Sequence, residues 1–149
     1  MAIARGAGTE IIRSASFEDI DSTAQYLIIG EQHHIYTVLS IVVRKIAHQT
    51  AGNKLYLMLE GYDSKAGTTA QDISLVAMDV PLYGTYVWND KFSFNGFEPT
   101  DFAGPLDDAT KQNAIADQGS SVAQKLRCSA DEANDQFELL ITYIDQNNA

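Results

Sequence analysis

The run Tyr83-Gly84-Thr85-Tyr86-Val87-Trp88-Asn89-Asp90-Lys91-Phe92-Ser93-Phe94-Asn95-Gly96-Phe97 constrains the fold of this chain most. Two short aromatic stretches are joined by a polar Asn-Asp-Lys break, and a glycine lies at each end. Aromatic and β-branched side chains in runs this short suit a pleated, half-buried surface and disfavour a helix. The rest of the chain reads the same way. From Ile35 to Lys45 the odd positions Ile35, Thr37, Leu39, Ile41 and Val43 are the more apolar set, which predicts that they face a core. Leu55, Leu57 and Leu59 alternate with Tyr56, Met58 and Glu60, and Phe137, Leu139, Ile141 and Tyr143 form one face of a closing strand. Phe17–Ile20, Tyr26–Ile29, Ile73–Val80 and the Val122–Cys128 region supply further strands, with turn residues between them. The expectation is all-β: an antiparallel, jelly-roll-like β-sandwich of about eight strands. Its predicted core holds Leu39, Ile41, Leu57, Phe92, Phe94, Leu139 and Ile141.

Two segments stand outside that pattern. Residues 1–16 read as an N-terminal arm, loosened by Gly6 and Gly8 but carrying Ile3, Ile11 and Ile12. Such an arm is expected to pack along a neighbouring subunit or along its own sheet, the alternative being a frayed end. Residues 17–149 then form a single β-sandwich domain, as a length of 149 residues favours. The region near 95–120 holds Pro99, Gly104, Pro105 and Gly119. It reads as a long loop excursion, with Asp107 capping a short helix that runs to Gln118. Gly30-Glu31-Gln32-His33 predicts a turn, and Ala47–Asn53 a hairpin loop.

Charge limits the partners. Twenty acidic residues against ten basic ones give a formal net charge of −10. That argues against nucleic acid and against an anionic membrane surface, both of which need a basic patch. No apolar run is long enough to span a bilayer. The N-terminus lacks the apolar region of a signal peptide. Cys128 is the only cysteine, so no internal disulfide framework exists, which fits a chain that matures in a reducing cytoplasm. Residues 98–149 hold ten acidic and three basic residues. The excursion 98–120 and the turn 131–135 are therefore expected on one shared acidic outer surface, with arm and long-strand residues supplying less charged contacts.

A search for chemistry assigns no catalytic, cofactor-binding or metal-ligating residue, and no cofactor is expected. His33 and His34 are adjacent, so an extended segment points them apart and they cannot grip one ion. His48 is the only other histidine. Asp107-Asp108 and Asp131-Glu132 are neighbours in loops, where carboxylates serve as solvated charge rather than as a catalytic pair across a cleft. The acidic loops lack the ligand spacing of an EF-hand. Lys125 and Arg127 flank Cys128, but a strand position reads as a core thiol. Trp88 and the tyrosines suit either packing or a sugar-binding platform.

The order of segments carries a resemblance. Ala24-Gln25-Tyr26-Leu27-Ile28-Ile29-Gly30 leads through a turn into Tyr36–Arg44, then a connection and Leu55–Glu60. Val80-Pro81, Gly84-Thr85-Tyr86-Val87, Asp90-Lys91-Phe92-Ser93-Phe94 and finally Phe137–Ile144 follow. This layout, with a hairpin expected between Tyr36–Arg44 and Leu55–Glu60, resembles small structural proteins of tailed-phage virions that are built on a compact β-sandwich. In these a strand–turn–strand opening precedes a stretch of the type Thr-x-Val-x-x-Asp-Lys-φ-x-φ and a closing strand ends the chain. The resemblance covers about residues 22–145. It implies a non-enzymatic virion component, a capsid decoration (cement) protein or a collar or tail protein, assembled in the host cytoplasm. Its partners would be further copies of itself and other virion proteins, such as the major capsid or neck and tail proteins. Strands with apolar residues on both faces agree with a homo-oligomer, since a two-layer sandwich alone leaves some of them uncovered. The alternative is a carbohydrate-binding β-sandwich module for host adsorption.

Overall fold

A computed structural model describes residues 9–62, 70–99, 107–117 and 121–147. Among them are eleven strands: β1 (Thr9–Ile20), β2 (Gln25–Ile29), β3 (His34–Ala47), β4 (Leu55–Tyr62), β5 (Ala70–Met78), β6 (Thr85–Trp88), β7 (Phe92–Asn95), β8 (Phe97–Pro99), β9 (Ser121–Ala123), β10 (Lys125–Ala130) and β11 (Gln136–Asn147), with one helix, α1 (Ala109–Asp117). All pairings are antiparallel. β4–β5, β3–β6, β3–β7, β2–β10 and β1–β11 nest in sequence, each enclosing the one before, with β8–β9 as a side branch, while β10–β4 and β11–β3 cross the nested pairs and join them into sheets. The chain is one long hairpin wrapped around a core. One sheet runs β1-β11-β3-β6, with β7 beside β6 on the same edge of β3, and the other runs β2-β10-β4-β5. Strands near in sequence alternate between the two layers. This is a jelly-roll path, and it meets the expected all-β sandwich. If β6 and β7 count as one interrupted strand, the two layers hold eight.

The aromatic run is that interrupted strand. Trp88 lies opposite Ile41 and Phe92 opposite Val38, so Asn89–Lys91 span a gap of two residues on β3. The rings then line up inside the sandwich. Trp88 and Phe92 are 5.6 Å apart, Phe92 and Phe94 6.3 Å, Phe94 and Tyr36 5.3 Å, and Tyr36 and Tyr143 6.1 Å.

β3 departs from its sequence reading. Tyr143 pairs with Val38 and Thr142 with Ser40, which leaves Leu39 without an opposite number. A bulge of one residue inverts the side-chain alternation. Ile41 and Val43 therefore face the core as predicted, but below the bulge Tyr36 and Val38 are the buried residues. Ile35 and Thr37 turn outward, and Leu39 is half-buried rather than in the core. Of the other predicted core residues, Leu57, Phe94, Leu139 and Ile141 are buried, and Phe92 packs against them partly exposed.

Other expectations meet the structure as follows. Residues 9–16 of the expected arm are the first part of β1, paired with β11 from Thr9↔Asn147 onward, and residues 1–8 lie outside the described residues. Residues 48–54 are not a hairpin loop, because β3 and β4 belong to different sheets; the segment crosses between layers. The excursion begins with the β8–β9 pair and contains α1. Its cap is Asp108 rather than Asp107: Asp108 Oδ1 accepts the N–H of Lys111 at 2.8 Å, while Asp107 pairs with the Lys111 ammonium at 2.9 Å. Gly30, Gly96 and Gln124 knit the base of the excursion to the β2–β3 turn. The N–H of Gly30 donates to Gln124 and that of Gln124 to Gly96, both at 2.8 Å. A Cβ on Gly30 would collide with the Gly96 carbonyl oxygen.

Candidate assembly surface

The outer faces of the two sheets differ in charge. Alternation from the buried residues of β11, β3 and β1 fixes which side chains look outward on the first sheet. Its three central rows are Ser16–Leu140–Val42–Val87, Ser14–Thr142–Ser40 and Ile12–Ile144–Thr37–Ser93. These eleven residues comprise five aliphatics and six hydroxyls, with no charge among them. Ile12 is 71% exposed, Val87 54% and Leu140 40%. The hydroxyls hydrogen-bond along the rows, Ser14 with Thr142 at 3.1 Å and Thr37 with Ser93 at 2.9 Å. Arg44 and Glu138 lie opposite each other across β3 and β11 at the border of this area, beside a shallow depression of about 340 Å³ lined by Ser16, Phe17, Val42, Arg44, Glu138 and Leu140 among others.

The outer face of the second sheet is ionic. Arg127 pairs with Asp72 and, at 3.4 Å, with Glu60. Tyr26 donates to Glu60 at 3.3 Å, and the Lys125 ammonium stands 5.2 Å from the centre of the Tyr26 ring. In a chain of net charge −10, the uncharged strip on the first sheet is where another surface can approach with least repulsion and least desolvation cost.

Two buried polar clusters brace the sandwich. Asp145 is 1% exposed and binds His34 Nδ1 at 2.6 Å and Arg13 at 3.3 Å, which ties β1, β3 and β11 together. Lys45 is equally buried. Its ammonium donates to the Asn53 carbonyl at 2.8 Å and lies 5.6 Å from the centre of the Phe137 ring. Asn53 in turn donates to Asp135, which also accepts the N–H groups of Gln49 and Glu132. Burial by itself would raise the Asp135 carboxyl. The hydrogen bonds from Asn53, Gln49 and Glu132 and the charge of Lys45 together hold it below the ordinary carboxylate value.

The residues weighed for chemistry have structural placements. His33 ends the β2–β3 turn with φ 62°, His34 sits on Asp145, and His48 lies in the crossover. Asp131 accepts the N–H of Lys54 at 2.8 Å, and Glu132 accepts the Thr50 hydroxyl at 3.1 Å. Cys128 is fully buried, and burial pushes its thiol up to about 12. Among the described residues no group of three His, Cys, Asp or Glu side chains is placed to hold a metal ion. Of the expected shared acidic surface, the β8–β9 base of the excursion adjoins the Lys125 end of β10 and the turn 131–135 its Ala130 end, while residues 100–106 and 118–120 lie outside the described residues. Asp135 is buried besides. Neither the neutral strip nor the two clusters are legible in the sequence. The hint was the second apolar face of the longest strands, and the parity switch at Leu39 hid which β3 residues belong to it.

No family model matches the sequence, and no curated protein matches it. Solved structures similar in fold include a chain from Bacillus endospore appendages, a novel family of disulfide-linked pili, with a TM-score of 0.43 and 9% identity over 100% of this chain and 97% of that one. Another is a chain of infectious bursal disease virus Gt strain, with a TM-score of 0.46 and 12% identity over 98% of this chain and 35% of that one. A third is a chain of the T13 IBDV viral particle, with a TM-score of 0.41 and 8% identity over 99% of this chain and 37% of that one. This chain thus spans about a third of the length of the two viral chains. Likenesses at these TM-scores carry no argument, and the jelly-roll path rests on this chain's own strand pairing.

Proposed function

We propose that this chain is a non-enzymatic structural component of a tailed-phage virion, a capsid decoration (cement) protein or a collar or tail protein. It acts through contacts with further copies of itself and with other virion proteins. The observation that carries the proposal is the uncharged three-row strip on the outer face of the sheet β1-β11-β3-β6, set against the ion pairs on the outer face of the other sheet. A subunit of net charge −10 needs such a face to join a neighbour. The order of segments from Ala24 to Ile144 adds the resemblance to virion proteins. The sugar-platform alternative is the weaker reading, because Trp88 packs against Phe92 and the core, although Tyr26, Tyr83 and Tyr86 stay exposed.

The test is quantitative mass spectrometry of purified particles. Hundreds of copies per particle place the protein on the shell, and about six or twelve place it at the neck or tail. Absence from particles overturns the proposal. A Val42→Glu variant should keep its fold and lose incorporation, since it sets a charge in the middle of the neutral strip.

A further inference from the structure

We infer that β1 is a strand-pairing edge, and that its occupant is β1 of a second copy of this chain, running antiparallel with Ile12 opposite Ile12. The two sheets have four edges, formed by β1, the β6–β7 pair, β2 and β5. Edge strands invite pairing with other chains, and proteins block them with bulges, breaks and short lengths. β2 has five residues and a bulge at Leu27, between the pairs Leu126↔Ile28 and Arg127↔Tyr26. β5 is bulged at Leu75, between Leu57↔Val76 and Met58↔Ser74. The edge formed by β6 and β7 is broken at Asn89–Lys91. β1 alone among the described edges keeps unbroken register, from Thr9↔Asn147 to Phe17↔Leu139. It contains no proline.

Charge and exposure select the partner. The stretch 9–17 carries one Glu and one Arg, so two copies can meet there without the repulsion that a net charge of −10 imposes elsewhere. A two-fold axis normal to the sheet keeps outward side chains outward, so residues pair with others of the same parity. Centring on Ile12 sets Glu10 against Ser14, Ile11 against Arg13 and Thr9 against Ala15, with no like charges opposed. Centring on Arg13 opposes two arginines, and centring on Ser14 opposes Glu10 to Glu18. The Ile12 register also covers the most exposed large apolar side chain of the described residues, beside Ile144 of each copy. The two β1-β11-β3-β6 sheets become one continuous sheet, joined along the Ile12–Ile144 rows.

This deepens the subunit-contact reading, but it is measured on purified protein without particles, so either can fail while the other stands. Sedimentation equilibrium of the full chain should show a monomer–dimer equilibrium. Ile12→Lys should weaken it about tenfold or more while leaving the melting temperature unchanged at protein concentrations low enough to keep both proteins monomeric. Ile12→Cys should form a disulfide-linked dimer under mild oxidation, because directly opposed strand residues lie within disulfide reach. Val87→Cys, on the same face but at the far edge, should not. A monomer at all concentrations overturns the inference. So does cross-linking of Val87→Cys in place of Ile12→Cys, which would mean face-to-face contact. Dissociation on deleting residues 1–8 with Ile12→Lys silent would make the leading segment the occupant and overturn it equally.

Discussion

Lys45 and Asp135 show how single residues hold this sandwich at a corner. A lysine buried in an apolar layer costs several kcal/mol unless its charge is met. Here a backbone carbonyl, the Phe137 ring and the Asp135 carboxylate meet it. Asp135 in turn satisfies the N–H groups of Gln49 and Glu132, so one carboxylate fastens the β3–β4 crossover to the β10–β11 turn. Its carboxyl is held below the ordinary value of 3.8. A carboxyl with a depressed native pKa contributes stability above its unfolded pKa, and that contribution is lost as pH falls through the native one. Asp135→Asn should therefore cost about 2–3 kcal/mol at pH 7 in urea denaturation. The gap between wild type and variant should narrow below about pH 3.8. An unchanged gap at acid pH would show that the charge of Asp135 is not what stabilises the corner. Cys128 is the opposite case, a residue whose burial removes its chemistry by keeping the thiol protonated.

Strand β3 shows what an element's sequence can hide. Its alternation is legible, and each half buries apolar residues in the expected rhythm. The phase between the halves is not legible, because a bulge at Leu39 needs no special residue type and is decided by the opposing strand. Leu39→Ala should cost under about 1.5 kcal/mol, whereas Ile41→Ala, at a fully buried site, should cost about 2–5 kcal/mol. Thermal or urea melts of the two variants decide it, and equal losses would place Leu39 in the core after all. The same limit explains the rest of the reading. Strand positions such as Leu57, Phe94 and Leu139 were legible because their neighbours alternate cleanly. The β3–β4 connection was misread as a hairpin because turn residues mark a change of direction but not a change of sheet. The neutral strip was invisible because it is assembled from four strands distant in sequence, each contributing two or three residues that mean nothing alone. The Arg13–Asp145–His34 cluster has the same origin, since His34 and Asp145 lie at opposite ends of the nested hairpin.

The nested pairing governs how the whole molecule can form. Tyr62 and Ala70 pair across eight positions of sequence, whereas Ile20 and Phe137 pair across 117. Closing the longer loop from an open chain costs about 2 kcal/mol more, since each doubling of loop length adds about 0.6 kcal/mol. If the inner pairs form first, each outer pair closes only a short additional loop. The topology therefore favours zipping from β4–β5 outward, with β1 added to β11 last. A fold so rich in distant pairings should refold in milliseconds to seconds, as sandwiches of high contact order do. The order can be read from two buried positions, Leu57 in β4 and Ile20 at the end of β1. Each residue replaced by Ala should lose about 2–5 kcal/mol, enough for reliable kinetics. Leu57→Ala should act mainly on the folding rate, because its contacts exist in the transition state. Ile20→Ala should act mainly on the unfolding rate, because its contacts form afterwards. Stopped-flow folding and unfolding of both variants separates the outcomes. If Ile20→Ala slows folding as strongly as Leu57→Ala, the first and last strands meet early and the chain does not zip from its centre. A β1 that docks last is also the strand whose outer edge stays open longest, which gives a second copy time to pair with it before or after the sandwich closes.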